Sequence, residues 1–303
     1  MSDPGSVHLR HHVRDQFRFE SRTVAGPPGG DPPVLLIGGA FQRKESWGRI
    51  EEYLLRRRGV VTIDLPGWGA ADTLPARYGT DFLVEALYQA LTELGVTAVD
   101  VAGGSYGAMI GYRLAQLHPE LVEHLLVMAC LTTIPEPVRR AVDESLTLLT
   151  QGQLDEFAAA TVALFMCRDR SRTIVHRTAI ERILTRRFAA ITADEAEKYV
   201  ENTRRLLGRD HLDPTPPMRR PLLVVTGEHD TYTPADIGRR VAATAPAGIL
   251  ALMADADHMN HLERPQETVE LLLTFFDDQP VEDLPFCRVV ERLGPGAPAP
   301  LPA

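Results

Sequence analysis

Lysine, cysteine and long apolar runs are scarce in this sequence. Only two of the 32 basic residues are lysine, and the three cysteines, Cys130, Cys167 and Cys287, lie far apart. An odd number of widely spaced cysteines gives neither a disulfide framework nor a metal-ligand pattern, so we expect a reducing cytoplasm and no metal or other cofactor. No stretch reaches the roughly 18 apolar residues of a membrane span, and the N-terminus carries charges in place of the apolar core of a signal peptide. We therefore expect neither secretion nor membrane insertion.

A strongly basic surface is also missing. The 303 residues carry a net charge of −9 at pH 7, whereas a nucleic-acid-binding protein needs a basic face that neutralises phosphates. We therefore expect no nucleic acid as a partner. The length exceeds that of a usual single domain, but α/β architectures commonly build one core of this size. We expect one catalytic domain that carries an inserted cap.

What the sequence does contain is a repeated alternation of short apolar runs with helical patterns. Such alternation predicts a doubly wound α/β fold, in which helices cover both faces of a mostly parallel sheet. An edge strand is expected at residues 13–24, and six buried strands are expected at residues 34–38, 60–64, 96–102, 122–128, 222–226 and 248–253. The helices are expected at residues 46–57, 81–94, 106–117, 234–245 and 263–276.

The same patterns divide the chain into segments. Residues 13–131 and 219–278 form the predicted core, and the helical periodicity of residues 132–218 predicts a cap inserted into it. We expect most aliphatic side chains of the cap to pack it together and some to line an acyl pocket. Residues 1–12 are expected to be disordered, and residues 279–303 to form a tail whose Pro-, Gly- and Ala-rich end buries too little surface to order itself.

Residues 103–107 read Gly-Gly-Ser-Tyr-Gly and join a predicted strand directly to a predicted helix. This is the sequence form of a nucleophile elbow, a sharp turn that lifts the serine hydroxyl clear of the sheet. Gly103 and Gly107 are needed because a Cβ at either position would strike neighbouring backbone. The turn also leaves the N–H of Tyr106 at the start of a helix, where it can bind an oxyanion. Ser105 is therefore the candidate nucleophile.

A serine hydroxyl attacks only if an imidazole within hydrogen-bond reach takes its proton. His258 follows the last predicted strand of the core and is the candidate general base. The alternative is that His258 merely caps the helix that begins near Glu263. His261 competes for the role of base, but we interpret it as a residue of packing or of the helix start.

The candidate base needs an acid that holds its tautomer. Asp230 lies in the loop after the strand at residues 222–226, at the carboxyl edge of the sheet where such folds place their chemistry. Glu228, Asp255 and Asp257 are rival acids. Each rival lies closer to a strand or to the histidine itself, which favours Asp230.

The order Ser105, Asp230, His258 resembles that of the α/β-hydrolase family, and the resemblance covers nearly the whole chain. Residues 62–69 resemble the family's Asp-x-x-Gly-x-Gly loop, and residues 258–265 resemble its His-x4-Glu-x-Pro ending. Residues 34–40, with a tryptophan at position 47, stand where the family has a strand, an oxyanion loop and a helix-opening tryptophan.

This resemblance implies a second oxyanion donor and a substrate-binding loop. The N–H of Ala40 would join that of Tyr106 at the oxyanion, and Gly39 and Phe41 would contact the substrate. Two positions depart from the family's pattern. Gly38 replaces the usual histidine, which suggests a looser and roomier oxyanion loop. Asp257 replaces the usual glycine. Its carboxylate would raise the basicity of His258 or, if turned inward, compete with Asp230.

Three short strings, residues 38–40, 64–66 and 230–233, resemble the bacterial 3-(3-hydroxyalkanoyloxy)alkanoate synthetase branch of the family. That resemblance implies acyl transfer from a thioester, in lipid or secondary-metabolite biosynthesis. The sequence therefore predicts a serine-dependent acyl-enzyme catalyst that hydrolyses or transfers the acyl group of a small-molecule ester or thioester, with a preference for medium-chain acyl groups. The alternative is a non-hydrolytic protein on the same scaffold, such as a small-molecule receptor, a lyase or a cyclase, because a fold does not fix function.

Seven arginines fall between positions 168 and 187, against only two acidic residues. Such a segment would suit the docking of an acidic carrier protein or of the phosphates of coenzyme A, since arginine pairs with phosphate bidentately. The other interpretation is a solvated helix face in a protein whose genome favours arginine over lysine, and the composition favours that interpretation.

Overall fold

One mixed sheet organises the part of the chain that the computed structural model describes, residues 5–29, 31–130, 134–208, 212–213 and 215–294. The sheet has nine strands, β1 (Val7–Arg14), β2 (Phe17–Val24), β3 (Val34–Ile37), β4 (Val60–Asp64), β5 (Val99–Gly104), β6 (Val122–Met128), β7 (Leu222–Gly227), β8 (Gly248–Met253) and β9 (Cys287–Leu293). Their order across the sheet is β1-β2-β4-β3-β5-β6-β7-β8-β9.

The six central strands, β3 to β8, run parallel to one another. They are short apolar runs that are buried almost throughout, as expected for a parallel sheet covered on both faces. Their agreement with the six predicted strands confirms the fold class. β5 begins later than predicted, because the N–H of Val96 bonds to the carbonyl of Leu91 at a helix end instead of joining the sheet.

Ten helices are present in the described residues. They are α1 (Gly48–Leu54), α2 (Thr80–Glu93), α3 (Tyr106–Leu117), α4 (Glu136–Thr150), α5 (Leu154–Phe165), α6 (Arg177–Ala189), α7 (Ala193–Leu207), α8 (Ala235–Ala242), α9 (Asn260–Glu263) and α10 (Pro265–Phe276). None of these helices is long and apolar enough to cross a membrane. The helix predicted at residues 263–276 starts one turn earlier and is interrupted before Pro265, which has no N–H to continue it.

The helices of the core divide between two apolar clusters, one on each face of the sheet. Leu35 and Ile37 of β3 pack with α2 and α3 on one face. Val34 and Leu36 of the same strand pack with α1 and α10 on the other. Because successive side chains of a strand point to opposite faces, one four-residue strand serves both layers.

Both ends of the sheet differ from the sequence-based expectation. The prediction of disorder over residues 1–12 is wrong for residues 7–12, which lie in β1, and the single edge strand predicted at 13–24 is a hairpin of β1 and β2 that turns at Asp15. The predicted tail at 279–303 contains β9, which pairs antiparallel with β8. Both strands are mostly exposed or half-buried, so their sequences lack the apolar pattern that marks a buried strand. Residues 1–4 and 295–303 lie outside the described residues.

Four helices, α4 to α7, occupy the segment between β6 and β7 that was predicted to be a cap. Their apolar faces form a third cluster around Phe157, Phe165 and Phe188. The same cluster includes residues of the loops that follow core strands, namely Phe41 after β3 and Tyr232 after β7. The cap therefore lies over the carboxyl ends of the parallel strands, which is where the predicted site residues are.

Candidate active site

The turn between β5 and α3 holds Ser105 in a strained backbone conformation, with φ +50° and ψ −112°. The two glycines around it have no room for side chains. A Cβ at Gly103 would lie 2.5 Å from the carbonyl oxygen of Gly107, and a Cβ at Gly107 would lie 2.2 Å from that of Ile37. The Ser105 N–H is fixed by a 2.8 Å hydrogen bond to the carbonyl of Met128 on the neighbouring strand. Close backbone packing on both sides thus maintains a conformation that non-glycine residues rarely adopt.

His258 and Asp230 come from the loops after β8 and β7 and meet below the surface. His258 Nδ1 lies 3.0 Å from Asp230 Oδ2, and both residues are buried. The second carboxylate oxygen accepts hydrogen bonds from the N–H groups of Tyr232 and Thr233, at 2.8 and 2.7 Å. The Thr233 hydroxyl donates to Oδ2. The hydrogen bonds from Tyr232 and Thr233 therefore fix the carboxylate in place independently of its contact with the imidazole.

These contacts decide the charge of the buried carboxylate. Burial alone would raise the pKa of Asp230, but the charge of His258 and the hydrogen bonds from His258 and Thr233 outweigh it and lower the pKa below its ordinary value. Asp230 is therefore an anion at neutral pH. An anion at this place stabilises an imidazolium and keeps Nδ1 of the neutral imidazole as the hydrogen-bond donor.

Two aromatic rings hold the imidazole of His258 between the cap and the core. Phe165, the last residue of α5, stacks on it with ring centroids 5.2 Å apart and planes 12° apart. Tyr232 meets it edge-on at 4.9 Å. With one nitrogen bonded to Asp230 and two sides packed, the ring can present only Nε2 to the cavity.

Asp257, the rival acid next to His258, has partners of its own. Its carboxylate accepts hydrogen bonds from the N–H of His258, at 2.8 Å, and from the N–H of Cys167 in the cap. Burial raises the pKa of Asp257 to about 6. The predicted competition with Asp230 for the imidazole is therefore absent from this structure. Asp257 instead links the cap, through Cys167, to the loop after β8 that carries His258.

The other two rival acids, Glu228 and Asp255, contact each other. Glu228 accepts hydrogen bonds from Arg288 and from the N–H of Asp255. One ligand atom each of Glu228, His229 and Asp255 lies within 4.8 Å of the others. We assign no metal to them, because none of the three lines the cavity described below and the Glu228 carboxylate already has two donors.

The loop after β3, which is the predicted oxyanion loop, is held by hydrogen bonds, in contrast to the looser loop predicted from Gly38. A Cβ at Gly38 would lie 2.7 Å from Cβ of Gln42, so the glycine makes room for that glutamine. Gln42 Oε1 accepts a 2.6 Å hydrogen bond from the N–H of Gly39, and Trp68 Nε1 donates to the Gly39 carbonyl at 3.1 Å. Ala40, which follows, lines the same cavity as Ser105.

His261 lies behind this loop, where its Nε2 is 3.4 Å from Nε2 of Gln42. Burial and the neighbouring charge of His258 lower the pKa of His261 to about 4. It is therefore neutral at physiological pH. Its contacts agree with the interpretation of His261 as a packing residue, although it also contributes to the cavity wall.

A cavity of about 240 Å³ connects the predicted site residues. Ser105 and His258 both line it, together with Gly39, Ala40 and Phe41 of the loop after β3. One wall is apolar except for Arg187 and comes from α5, α6 and the region of α9, through Phe165, Ile183, Leu184, Phe188, Met259 and Leu262. A smaller cavity of about 30 Å³ lies on the inner side of Ser105, between Met109, Val142 and Leu206. Ser105 thus lies between two spaces of different size.

The arginines of the arginine-rich segment of the cap differ in their contacts. Arg170 and Arg172 pair with Glu181 and Asp169, and Arg177 donates to backbone carbonyls, including that of Cys167 at 2.7 Å. Arg168, Arg182 and Arg186 are exposed, as are Arg170 and Arg172. Docking of a carrier protein or coenzyme A on these arginines stays a prediction.

Comparison with known proteins gives consistent matches. The sequence profile described as the alpha/beta hydrolase family matches residues 34–271. An (E)-2-((N-methylformamido)methylene)succinate hydrolase of Acinetobacter baylyi is 23% identical over 83% of this chain and 93% of its own length. A pimeloyl-[acyl-carrier protein] methyl ester esterase of Aromatoleum aromaticum is 27% identical, over 80% of this chain and 96% of its own. The solved enol-lactonase of Burkholderia xenovorans superposes with a TM-score of 0.74 at 19% identity, over 88% of this chain and all of its own.

Proposed function

The chain belongs to the alpha/beta hydrolase family, and we propose that it hydrolyses or transfers the acyl group of an ester or thioester through a serine acyl-enzyme. Ser105 is the nucleophile, His258 the general base and Asp230 the acid that orients it. One observation carries this proposal. His258, which is hydrogen-bonded to the buried Asp230, lines the same cavity as Ser105, and a strained strand-to-helix turn holds Ser105 there.

The chemistry follows from these positions. His258 Nε2 takes the hydroxyl proton of Ser105 as the oxygen attacks the substrate carbonyl, and the N–H groups of Ala40 and Tyr106 bind the resulting oxyanion. The imidazolium then gives its proton to the departing alcohol or thiol. In the second half-reaction His258 deprotonates water or an acceptor hydroxyl, which releases the acyl group from Ser105. Asp230 keeps its charge throughout and stabilises the imidazolium.

The curated relatives support a hydrolytic reaction at such a site, because the two reported above are named as a hydrolase and as a methyl ester esterase. The braced oxyanion loop adds to this support, since donors that are fixed before the reaction need no reorganisation when the oxyanion forms. A receptor would need neither a buried charge behind the histidine nor a strained serine.

The proposal is tested by labelling with a fluorophosphonate probe. Wild-type protein should be labelled, whereas Ser105→Ala should not be labelled and should lose at least about a thousandfold in ester turnover, since only the oxyanion donors and binding remain. Ser46→Ala is the matched control, because Ser46 lines the same cavity but does not belong to the triad. Turnover by purified Ser105→Ala within tenfold of wild type would contradict the assignment.

We further propose that the acyl group is of medium length. A cavity of about 240 Å³ has room for about eight non-hydrogen atoms, if each takes about the 30 Å³ of a liquid water molecule. Across acyl thioesters from acetyl to dodecanoyl, kcat/KM should rise to a maximum near hexanoyl or octanoyl, since each buried methylene contributes about 0.8 kcal/mol. A flat profile, or one highest at acetyl, would show that the cap closes a small polar pocket, and would leave the triad unaffected.

A further inference from the structure

Arg187 on α6 is a charged residue in an otherwise largely apolar wall. Its neighbours on that wall are Ile183, Leu184 and Phe188. Among the described residues that line the cavity, the other titratable groups are His258 and His261. His261 is neutral near pH 7, and Arg187 is therefore the one permanent charge among the described lining residues.

The charge of Arg187 is not fully neutralised by its partner. Glu195 at the start of α7 accepts from Arg187 Nη2 at 2.7 Å and from Nη1 at 3.4 Å. The same carboxylate accepts from Arg43, and also from the N–H of Thr192 as part of the α7 capping box. Two guanidinium groups therefore share the one carboxylate of Glu195, which alone cannot neutralise both. Arg187 keeps donor hydrogens for another acceptor, since a guanidinium has five.

We propose that Arg187 binds a carboxylate of the substrate, at a position remote from the bond that is cleaved. The inference rests on the proposed function, and it makes the substrate an anionic ester or thioester. A planar guanidinium recognises a carboxylate through paired hydrogen bonds, and a pair is strengthened where apolar side chains exclude water. A single guanidinium in the lining matches a carboxylate monoanion better than a phosphate dianion. The side chain is 35% exposed, so it can receive the anion as the substrate enters.

The competing explanation is that Arg187 only joins α6 to α7 through Glu195. Matched substrates separate the two. We compare 4-nitrophenyl hexanoate with the mono-4-nitrophenyl ester of adipic acid for charge on the acyl side, and ethyl hexanoate with hexanoyl glycolate for charge on the alcohol side. In wild type, the anionic member of at least one pair should have the higher kcat/KM.

The substitution Arg187→Met keeps the apolar stem of the side chain and removes the charge. It should lower kcat/KM for the preferred anionic substrate about 10- to 100-fold, mainly through KM, and change that of its neutral partner by less than about threefold. Arg186→Met is the control, because Arg186 is exposed on the same helix and does not line the cavity. Equal losses for both members of the pair, or no loss for either, would overturn the proposal. Activity on the neutral esters that still requires Ser105 would leave the proposed function intact in either case.

Glu195→Gln supplies a second test that does not depend on removing Arg187. Glutamine can keep the capping box at the start of α7, while the carboxylate that competes for Arg187 is removed. KM for the anionic substrate should then fall severalfold, and KM for the neutral one should stay constant. A rise in KM for both substrates would show that the ion pair only supports the helices, and would also overturn the proposal.

Discussion

At the scale of single residues, two buried carboxylates beside His258 have separate tasks. Asp230 contacts the imidazole itself, whereas Asp257 contacts the backbone N–H groups of His258 and Cys167. Only the first can select the tautomer of the ring. Removing its charge should therefore affect the reaction, whereas removing the charge of Asp257 should affect mainly how the cap is attached.

Asp230→Asn should lower kcat at least about a thousandfold, because an amide that donates to Nδ1 would leave the imidazole in the wrong tautomer. Asp257→Asn should cost less than about tenfold, since its side-chain oxygen can still accept one of the two backbone hydrogen bonds. Steady-state kinetics of both variants on one ester give the comparison. If Asp257→Asn proved the more damaging, the acid would have been assigned to the wrong residue.

The triad candidates could be proposed from sequence because each stands in a local pattern, Ser105 between glycines and Asp230 and His258 in loops that follow predicted strands. The roles of Gln42 and Asp257 could not be predicted from sequence. Gln42 acts by filling the space that Gly38 leaves, and Asp257 by reaching Cys167, which is 90 positions away. Such roles depend on which segments meet in space, and a single sequence does not contain that information.

At the scale of elements, the strand-to-helix turn around Ser105 is held by backbone packed against backbone. A Cβ at Gly107 would lie 2.2 Å from the Ile37 carbonyl oxygen and 2.7 Å from that of Gly38. Neither atom can rotate away as the end of a side chain could, so relief would require movement of β3 and of the loop that follows it. This contact couples the geometry of Ser105, the proposed nucleophile, to that of the proposed oxyanion donors.

Gly107→Ala should therefore lower the free energy of unfolding by about 1–3 kcal/mol or more, and it should reduce activity in the protein that still folds. Urea denaturation followed by circular dichroism measures the first effect. Gly29→Ala is the control, since a Cβ at Gly29 meets nothing within 4 Å, and it should leave stability within about 0.5 kcal/mol of wild type. Equal stability of the two variants would show that the turn can relax.

The central strands were predictable and the outer ones were not, for a physical reason. A strand buried on both faces must be apolar along its length, as β7 is, and that composition is visible in sequence. β1 is largely exposed and is ordered by its hydrogen bonds to β2. Those bonds join backbone groups that every residue has, so the side chains of β1 carry little trace of them.

At the scale of the whole molecule, the cap and the core meet over buried acidic groups. Glu263 on α9 is buried, and its Oε2 accepts a 2.6 Å hydrogen bond from the N–H of Asp257. Its other oxygen has no hydrogen-bond partner among the described residues. Burial, together with the charges of Asp257 and Asp230, raises the pKa of Glu263 to about 8. At neutral pH the folded protein therefore holds a proton on Glu263 that the unfolded chain releases.

The sign of the resulting pH dependence follows from linkage. A carboxyl group whose pKa is higher in the folded state contributes stability that is complete below its unfolded pKa and is lost as pH rises through the folded value. For Glu263 that loss runs from about 4.5 to about 8. Glu263→Gln is neutral at every pH and can still accept from Asp257, so it should lack this part of the pH dependence.

Urea denaturation of wild type and Glu263→Gln between about pH 5 and pH 9 tests this, at about 1.4 kcal/mol for each unit of pKa difference. Between pH 5 and pH 9 the free energy of unfolding of the variant should increase by about 2–4 kcal/mol relative to that of wild type. The variant should be the more stable of the two at the alkaline end. Glu270→Gln, which changes an exposed carboxylate on α10, should follow wild type throughout. Parallel stability curves for wild type and Glu263→Gln would mean that Glu263 is ionised in the folded protein, and that the junction of cap and core tolerates a buried charge.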